Sequence, residues 1–118
     1  MKKIILLPLL PLYLSVTAQT GSTEFAFPVT GGIVITEIMA DPTPSRGLPE
    51  REYLEIFSRS RDTLALKGIM LIAGNDTAYL SEGVIAPEER IILCSTGSRN
   101  DLLHYGRTEA VKSLPSLN

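Results

Sequence analysis

Residues 33–57 read Ile33-Val34-Ile35-Thr36-Glu37-Ile38-Met39-Ala40-Asp41-Pro42-Thr43-Pro44-Ser45-Arg46-Gly47-Leu48-Pro49-Glu50-Arg51-Glu52-Tyr53-Leu54-Glu55-Ile56-Phe57. Both ends of this stretch alternate with a period of two rather than 3.6, the spacing of a strand and not of a helix. In the first run Ile33, Ile35 and Met39 share a face with Glu37, while Val34, Thr36 and Ile38 share the other. Apolar residues on both faces predict a strand covered on both sides. In the second run Leu54 and Ile56 alternate against Tyr53, Glu55 and Phe57, which separates an aliphatic core face from an aromatic and acidic one. Between them, residues 41–49 carry three prolines and a glycine, cannot ladder, and form an extended loop.

The same punctuation continues downstream. Ser58-Arg59-Ser60-Arg61-Asp62 is a polar turn, and Leu64, Leu66, Ile69, Met70, Leu71 and Ile72 form a third apolar element around Gly68, read as a bulge or close-approach position. Gly74-Asn75-Asp76 turns into a short edge strand at residues 77–80. Residues 85–89 lead into Arg90-Ile91-Ile92-Leu93-Cys94, apolar on both faces and therefore central. Helical character is confined to residues 100–105, with Ser98 or Asn100 as N-cap and Gly106 as the stop. Residues 111–114 offer one further strand. Closely spaced strands with turn signals and almost no helix predict an all-β sandwich of five firm strands and one more, against about seven in an immunoglobulin-type domain.

Upstream, residues 19–32 are Thr-, Ser- and Gly-rich, with Phe25 and Phe27 isolated and Pro28 blocking regular pairing, and read as a linker. Residues 1–18 have the organisation of an export signal. Lys2 and Lys3 precede an apolar run from Ile4 to Val16, and Val16-Thr17-Ala18 before Gln19 suits signal peptidase, with cleavage after Ala18. The run is shorter than the roughly 20 residues of an anchor helix and is broken by Pro8 and Pro11, and no Cys follows it for acylation. The expected product is extracytoplasmic, in the periplasm or at the cell surface, without stable membrane insertion.

The whole chain has 118 residues, and loss of the leader leaves about 100, one domain. Its 44% apolar and 20% charged content is that of a globular chain with a core. Without Lys2 and Lys3, nine basic side chains face thirteen acidic ones, a net charge of −4 that lacks the basic footprint of a nucleic-acid partner. One Cys and one His exclude a zinc finger and an internal disulfide.

Several groups are candidates for chemistry. Glu37, Asp41, Glu50, Glu52 and Glu55 surround the proline loop, and a hard cation such as calcium takes several oxygens from loops, with Asp41 and Glu50 its first candidates. No known calcium-loop spacing is present. The competing reading has Glu37 and Glu55 paired with Arg51 and loop amides and Asp41 capping the turn before Pro42. Glu37, in phase with Ile33 and Ile35, would need a partner if that face is the core, and pinning the loop is the role expected of it. Cys94-Ser95-Thr96-Gly97-Ser98-Arg99 approximates a phosphate-cradling thiolate loop but is one residue short, so a buried thiol is expected instead. His104, Asp101 and Ser95 lack the strained elbow of a serine hydrolase, which leaves His104 a surface residue. Tyr53, Phe57, Tyr79 and Tyr105 could line a binding face, but no Trp or basic residues interleave with them. No cofactor, metal or catalytic set is expected.

The run Ile35-Thr36-Glu37-Ile38-Met39-Ala40-Asp41-Pro42, then Gly47-Leu48-Pro49-Glu50, then Glu52-Tyr53-Leu54-Glu55-Ile56-Phe57 resembles the opening strands of bacterial lamin-tail domains. Leu66-Lys67-Gly68 is similar to their Leu-x-Gly step, and Ile85-Ala86-Pro87-Glu88-Glu89 to their Leu-Ala-Pro-Gly-Glu turn. The resemblance covers residues 33–118 and marks Glu37, Asp41, Pro42, Leu48, Pro49, Glu52, Tyr53, Glu55, Gly68 and Pro87 as the structural motif. It implies an immunoglobulin-like sandwich and an exported, non-catalytic module, in bacteria often found beside hydrolase or nuclease domains. Ser58 stands where the family usually has Asn, and Ile69 where it usually has Trp. The family also continues into further strands past a segment like Pro115-Ser116-Leu117-Asn118, so the sandwich is expected to be incomplete. Two function classes follow: a binding module for a protein or cell-surface polymer, or an accessory piece of a larger secreted hydrolase or nuclease. An incomplete sandwich is also expected to self-associate through its exposed strand edge.

Overall fold

The computed structural model describes residues 24–44 and 46–118. The expected export signal, with its Ala18 site, lies outside the described residues. The rest is mostly strand, in sheets, with one short helical segment.

The principal sheet has the order β1 (Ile33–Met39), β2 (Tyr53–Ser58), β7 (Arg90–Ser95) and β8 (Thr108–Val111). Its first three strands pair antiparallel, and β7 pairs with β8 in parallel. Between β2 and β7 the chain makes two small two-stranded sheets. One joins β3 (Leu64–Ala65) to β6 (Val84–Ile85), and the other joins β4 (Met70–Ala73) to β5 (Asp76–Tyr79). The helical segment, α1 (Arg99–Leu102) with a 3₁₀ turn on either side, connects β7 to β8.

The predicted alternation of β2 places one core on each side of the sheet. Leu54 and Ile56 stand opposite Leu93 and Ile91 of β7, and all four join Leu64, Leu66, Ile85 and Val111 in the main core shared by the three sheets. On the opposite face Tyr53, Ile92 and Cys94 are covered by Leu102 of α1, with Met39 packed against them. β7 is therefore central and buried on both faces, as its sequence predicts. Truncating a fully buried aliphatic side chain of this kind costs about 2–5 kcal/mol.

The first strand departs from the sequence reading. The β1–β2 register shifts between Ile35 and Glu37, so Thr36 is the extra residue of a bulge. Side chains after a bulge exchange faces. Ile35 stands opposite Ile56 and Ile38 opposite Leu54, both core-facing residues, whereas Glu37 stands opposite Glu55 and Met39 opposite Tyr53. Ile38, not Met39, therefore continues the face of Ile33 and Ile35, and Glu37 lies on the α1 side. Nor is β1 covered on both sides. It is the edge of the sheet, with Ile35 and Ile38 left 55% and 58% exposed.

Other boundaries also move. The third apolar element is two strands, β3 and β4, and Gly68 is the turn between them rather than a bulge. Its φ of +85° is open to glycine at little cost, and the Ile69 N–H donates to Leu66 O at 3.0 Å across it. The helical run begins at Arg99 after Ser98 and ends at Gly106. The last strand is Thr108–Val111 and not 111–114; Ser113, at φ +58°, ends it, and Leu114 and Leu117 pack against the main core. Eight strands thus stand among the described residues where five or six were expected.

Candidate functional site

Among the described residues β1 and β4 are both unpaired on one side, and the space between them is an apolar groove of about 630 Å³. Its floor is the core face of the sheet, Leu54, Ile56 and Leu93. Ile35 and Ile38 form one bank and Ile69 and Leu71, packed against the main core, the other; Met70 and Ile72, 51% and 61% exposed, reach its rim from the outer face of their hairpin, where Met70 stands opposite Tyr79. Among the described residues no Asp, Glu, Lys, Arg or His lines it. Each bank also carries the backbone N–H and C=O groups of a free strand edge, so the groove combines apolar surface with unused ladder positions. Sequence reasoning missed this site. Its only signal was that residues 69–72 are apolar in both phases, which a strand with one solvated face would not be.

The acidic residues are dispersed instead of converging on one point. Glu37 accepts a hydrogen bond from the Tyr53 hydroxyl at 2.6 Å. Glu55 accepts one from Thr36 Oγ1 at 2.6 Å and pairs with Arg90 at 3.2 Å. Asp41 accepts from the Thr43 N–H and hydroxyl at 3.4 Å, and thus caps its own turn. Glu52 accepts from the Leu117 N–H and the Ser116 hydroxyl at 3.4 Å, which ties β2 to the last residues of the chain. Glu50 is exposed. Arg51, expected to serve Glu37 or Glu55, pairs with Asp101 at 2.8 Å. Glu37 holds Tyr53 and not the loop amides. Among the described residues no group of three or more His, Cys, Asp or Glu is placed to hold a metal ion. Pro42, Leu48 and Pro49 line a separate recess of about 270 Å³ with Met39 and Asp41.

The nucleophile candidates are not assembled either. Cys94 is fully buried, and burial raises its thiol pKa against the smaller opposing pull of Arg99. A neutral, enclosed thiol is a poor nucleophile. Ser95 and Ser98 share a hydrogen bond of 2.8 Å, and Asp101 is taken by Arg51, so neither turns to His104. The aromatic residues do not form one face. Tyr53 is buried under α1, Phe57 lies beneath Arg90 with 4.8 Å from guanidinium carbon to ring centroid, and Tyr79 is on β5, outside the principal sheet.

Besides Cys94, three groups among the described residues have shifted titration: Tyr53, Glu89 and Arg107, whose guanidinium pKa is raised chiefly by its hydrogen bond to Glu89. Burial, the Glu37 hydrogen bond and the charges of Glu37 and Glu55 push Tyr53 up to about 12. Burial opposes the charge of Glu89, but the Ala86 N–H at 2.7 Å and Arg107 at 2.8 Å outweigh it and hold the carboxyl below its usual range. This closes the turn that carries Pro87 and Glu88, where Glu88 adopts φ +59°.

Comparison with protein-family models, with curated proteins and with solved structures gives no match for this chain. Its function must therefore be argued from the geometry. Among the described residues no helix is long and apolar enough to cross a membrane.

Proposed function

We propose that the chain is an exported, non-catalytic interaction module of lamin-tail type with an immunoglobulin-like sandwich fold. The observation that carries the functional part is the uncharged groove bounded by two free strand edges, a surface suited to a protein strand and not to turnover of a small polar substrate. Two local features support the family. Gly68 of the Leu-x-Gly step occupies a turn at φ +85°, and Glu88, which stands where the family has Gly, holds φ +59°, a conformation for which glycine is the usual solution.

The leader directs the chain out of the cytoplasm and is removed after Ala18. The test is intact mass and chemical cross-linking on the extracytoplasmic fraction, with hydrolase and nuclease assays on the purified chain. The expected result is a chain beginning at Gln19, recovered in a larger cross-linked complex and without turnover. A chain found only at monomer mass, or turnover by the chain alone, would contradict the proposal.

The second reading, an accessory part of a larger secreted hydrolase or nuclease, is favoured by the hydrolase neighbours that the lamin-tail resemblance implies. A reading frame running through Asn118 into further strands and a hydrolase motif would support it.

A further inference from the structure

Asn75-Asp76-Thr77 is an Asn-x-Thr triplet without proline at its centre, the pattern that an oligosaccharyltransferase accepts in exported chains. The fold places it at the tip of a hairpin. Ala73 and Asp76 stand opposite one another in the β4–β5 ladder, so Gly74 and Asn75 make up the whole turn, and Gly74 at φ +60° supplies the conformation that a two-residue hairpin requires. Asn75, Asp76 and Thr77 are all exposed, and a Cβ on Gly74 would meet no atom within 4 Å, so the tip projects into open space. Among the described residues no hydrogen bond engages the Asn75 amide or the Thr77 hydroxyl. Asn100 is exposed too, but Leu102 stands two residues on, where the pattern needs a hydroxyl.

A tight turn must also loosen to enter an enzyme's cleft. β4 and β5 form a sheet of their own, and a ladder of two strands is marginal without support. Its support is on the inner side near the base, where Ala78 and Leu80 belong to the main core and Leu71 packs against it. Opening Gly74 and Asn75 therefore breaks few contacts and leaves the hairpin docked.

We infer that Asn75 carries an N-linked glycan. The inference rests on the export part of the proposed function, since it requires transfer outside the cytoplasm, and it adds a modification to that reading. The donor class is an oligosaccharide on a polyprenyl diphosphate. The bond from the anomeric carbon to the diphosphate oxygen breaks, a bond from that carbon to Asn75 Nδ2 forms, the amide releases one proton, and the lipid diphosphate leaves. Nothing is oxidised or reduced.

The experiment is peptide mass spectrometry of the chain isolated from outside the cytoplasm of its native host. Trypsin cuts after Lys67 and Arg90, so one peptide, residues 68–90, holds the whole hairpin, while residues 100–107 hold Asn100 and serve as internal control. Residues 68–90 are expected to exceed the peptide mass by whole sugar residues, located at Asn75 by electron-transfer fragmentation, and residues 100–107 to have the peptide mass alone. Asn75→Gln and Thr77→Ala should abolish the increment, whereas Thr77→Ser, which keeps the hydroxyl, should retain it. All three change exposed side chains and should melt as the wild-type chain does by circular dichroism. A sugar that survives Asn75→Gln and is located on the Thr77 hydroxyl would overturn the assignment to Asn75. Peptide 68–90 at its bare mass in a chain that begins at Gln19 would overturn the inference and leave the export reading standing. A chain that keeps its leader and stays in the cytoplasm removes both.

Discussion

β7 and β1 are both mostly apolar with a single charged residue, but they do opposite things. Ile91, Ile92, Leu93 and Cys94 are buried, because β2 and β8 flank them and cores lie above and below. Ile35 and Ile38 of β1 are more than half exposed, because among the described residues the strand is paired on one side only and an open groove lies against them. Apolar side chains at the centre therefore hold the fold, and those at the edge remain available to a partner. What decides the role of an isoleucine here is the number of neighbouring strands, which is a property of topology.

The comparison breaks most directly at the centre. Leu93→Ala is expected to destabilise the chain by about 2–5 kcal/mol in urea unfolding, through lost burial and the cavity left behind. A loss under about 1 kcal/mol would mean that the centre is as loosely packed as the edge.

Glu89→Ala, at the turn entering β7, removes an acceptor for the Ala86 N–H and a partner of Arg107, and should cost about 1–2 kcal/mol. Its carboxyl pKa is depressed in the folded chain, so its contribution is complete above the unfolded value of 4.5 and is lost as pH falls through the lower folded value. Acid unfolding curves of the variant should be flatter in that range. A wild-type slope would show that Glu89 is not the group responsible.

Tyr53→Phe tests the outer core, with an expected loss of about 1 kcal/mol for the bond to Glu37. Here the folded pKa is raised, so the stabilisation is present below 10 and is lost as pH rises toward 12. Phenolate absorbance should show a late component near 12, and the variant should lack it.

Glu88→Gly relieves a left-handed residue and should gain about 0.5–1 kcal/mol. Ile72→Ala, on the exposed face of β4, should change the stability of the chain by less than about 0.5 kcal/mol. Equal effects for Ile72 and Leu93 would erase the distinction between centre and edge.

The sequence made the all-β class legible, together with the two faces of β2 and the central place of β7, because alternation reports burial on each side of a strand. It misassigned β1. The Thr36 bulge shifts the phase by one residue, and a single extra residue exchanges Met39 for Ile38 on the core face without altering composition. The Arg51 pairing was also illegible, since Asp101 lies 50 residues away on a helix whose docking the local pattern does not encode. Gly68 was recognised as special, but a turn and a bulge make the same demand on φ. The groove was hidden for a further reason: it is made by what does not pair, and strand pairing between distant segments is not carried by either segment alone.

Amide hydrogen exchange on the purified chain is the most direct test that topology, and not apolar content, separates the centre from the edge. The amides of β1 that point away from β2 should exchange rapidly, while those of β2 and β7 remain protected. Protection of those β1 amides equal to that of β7 would contradict the account.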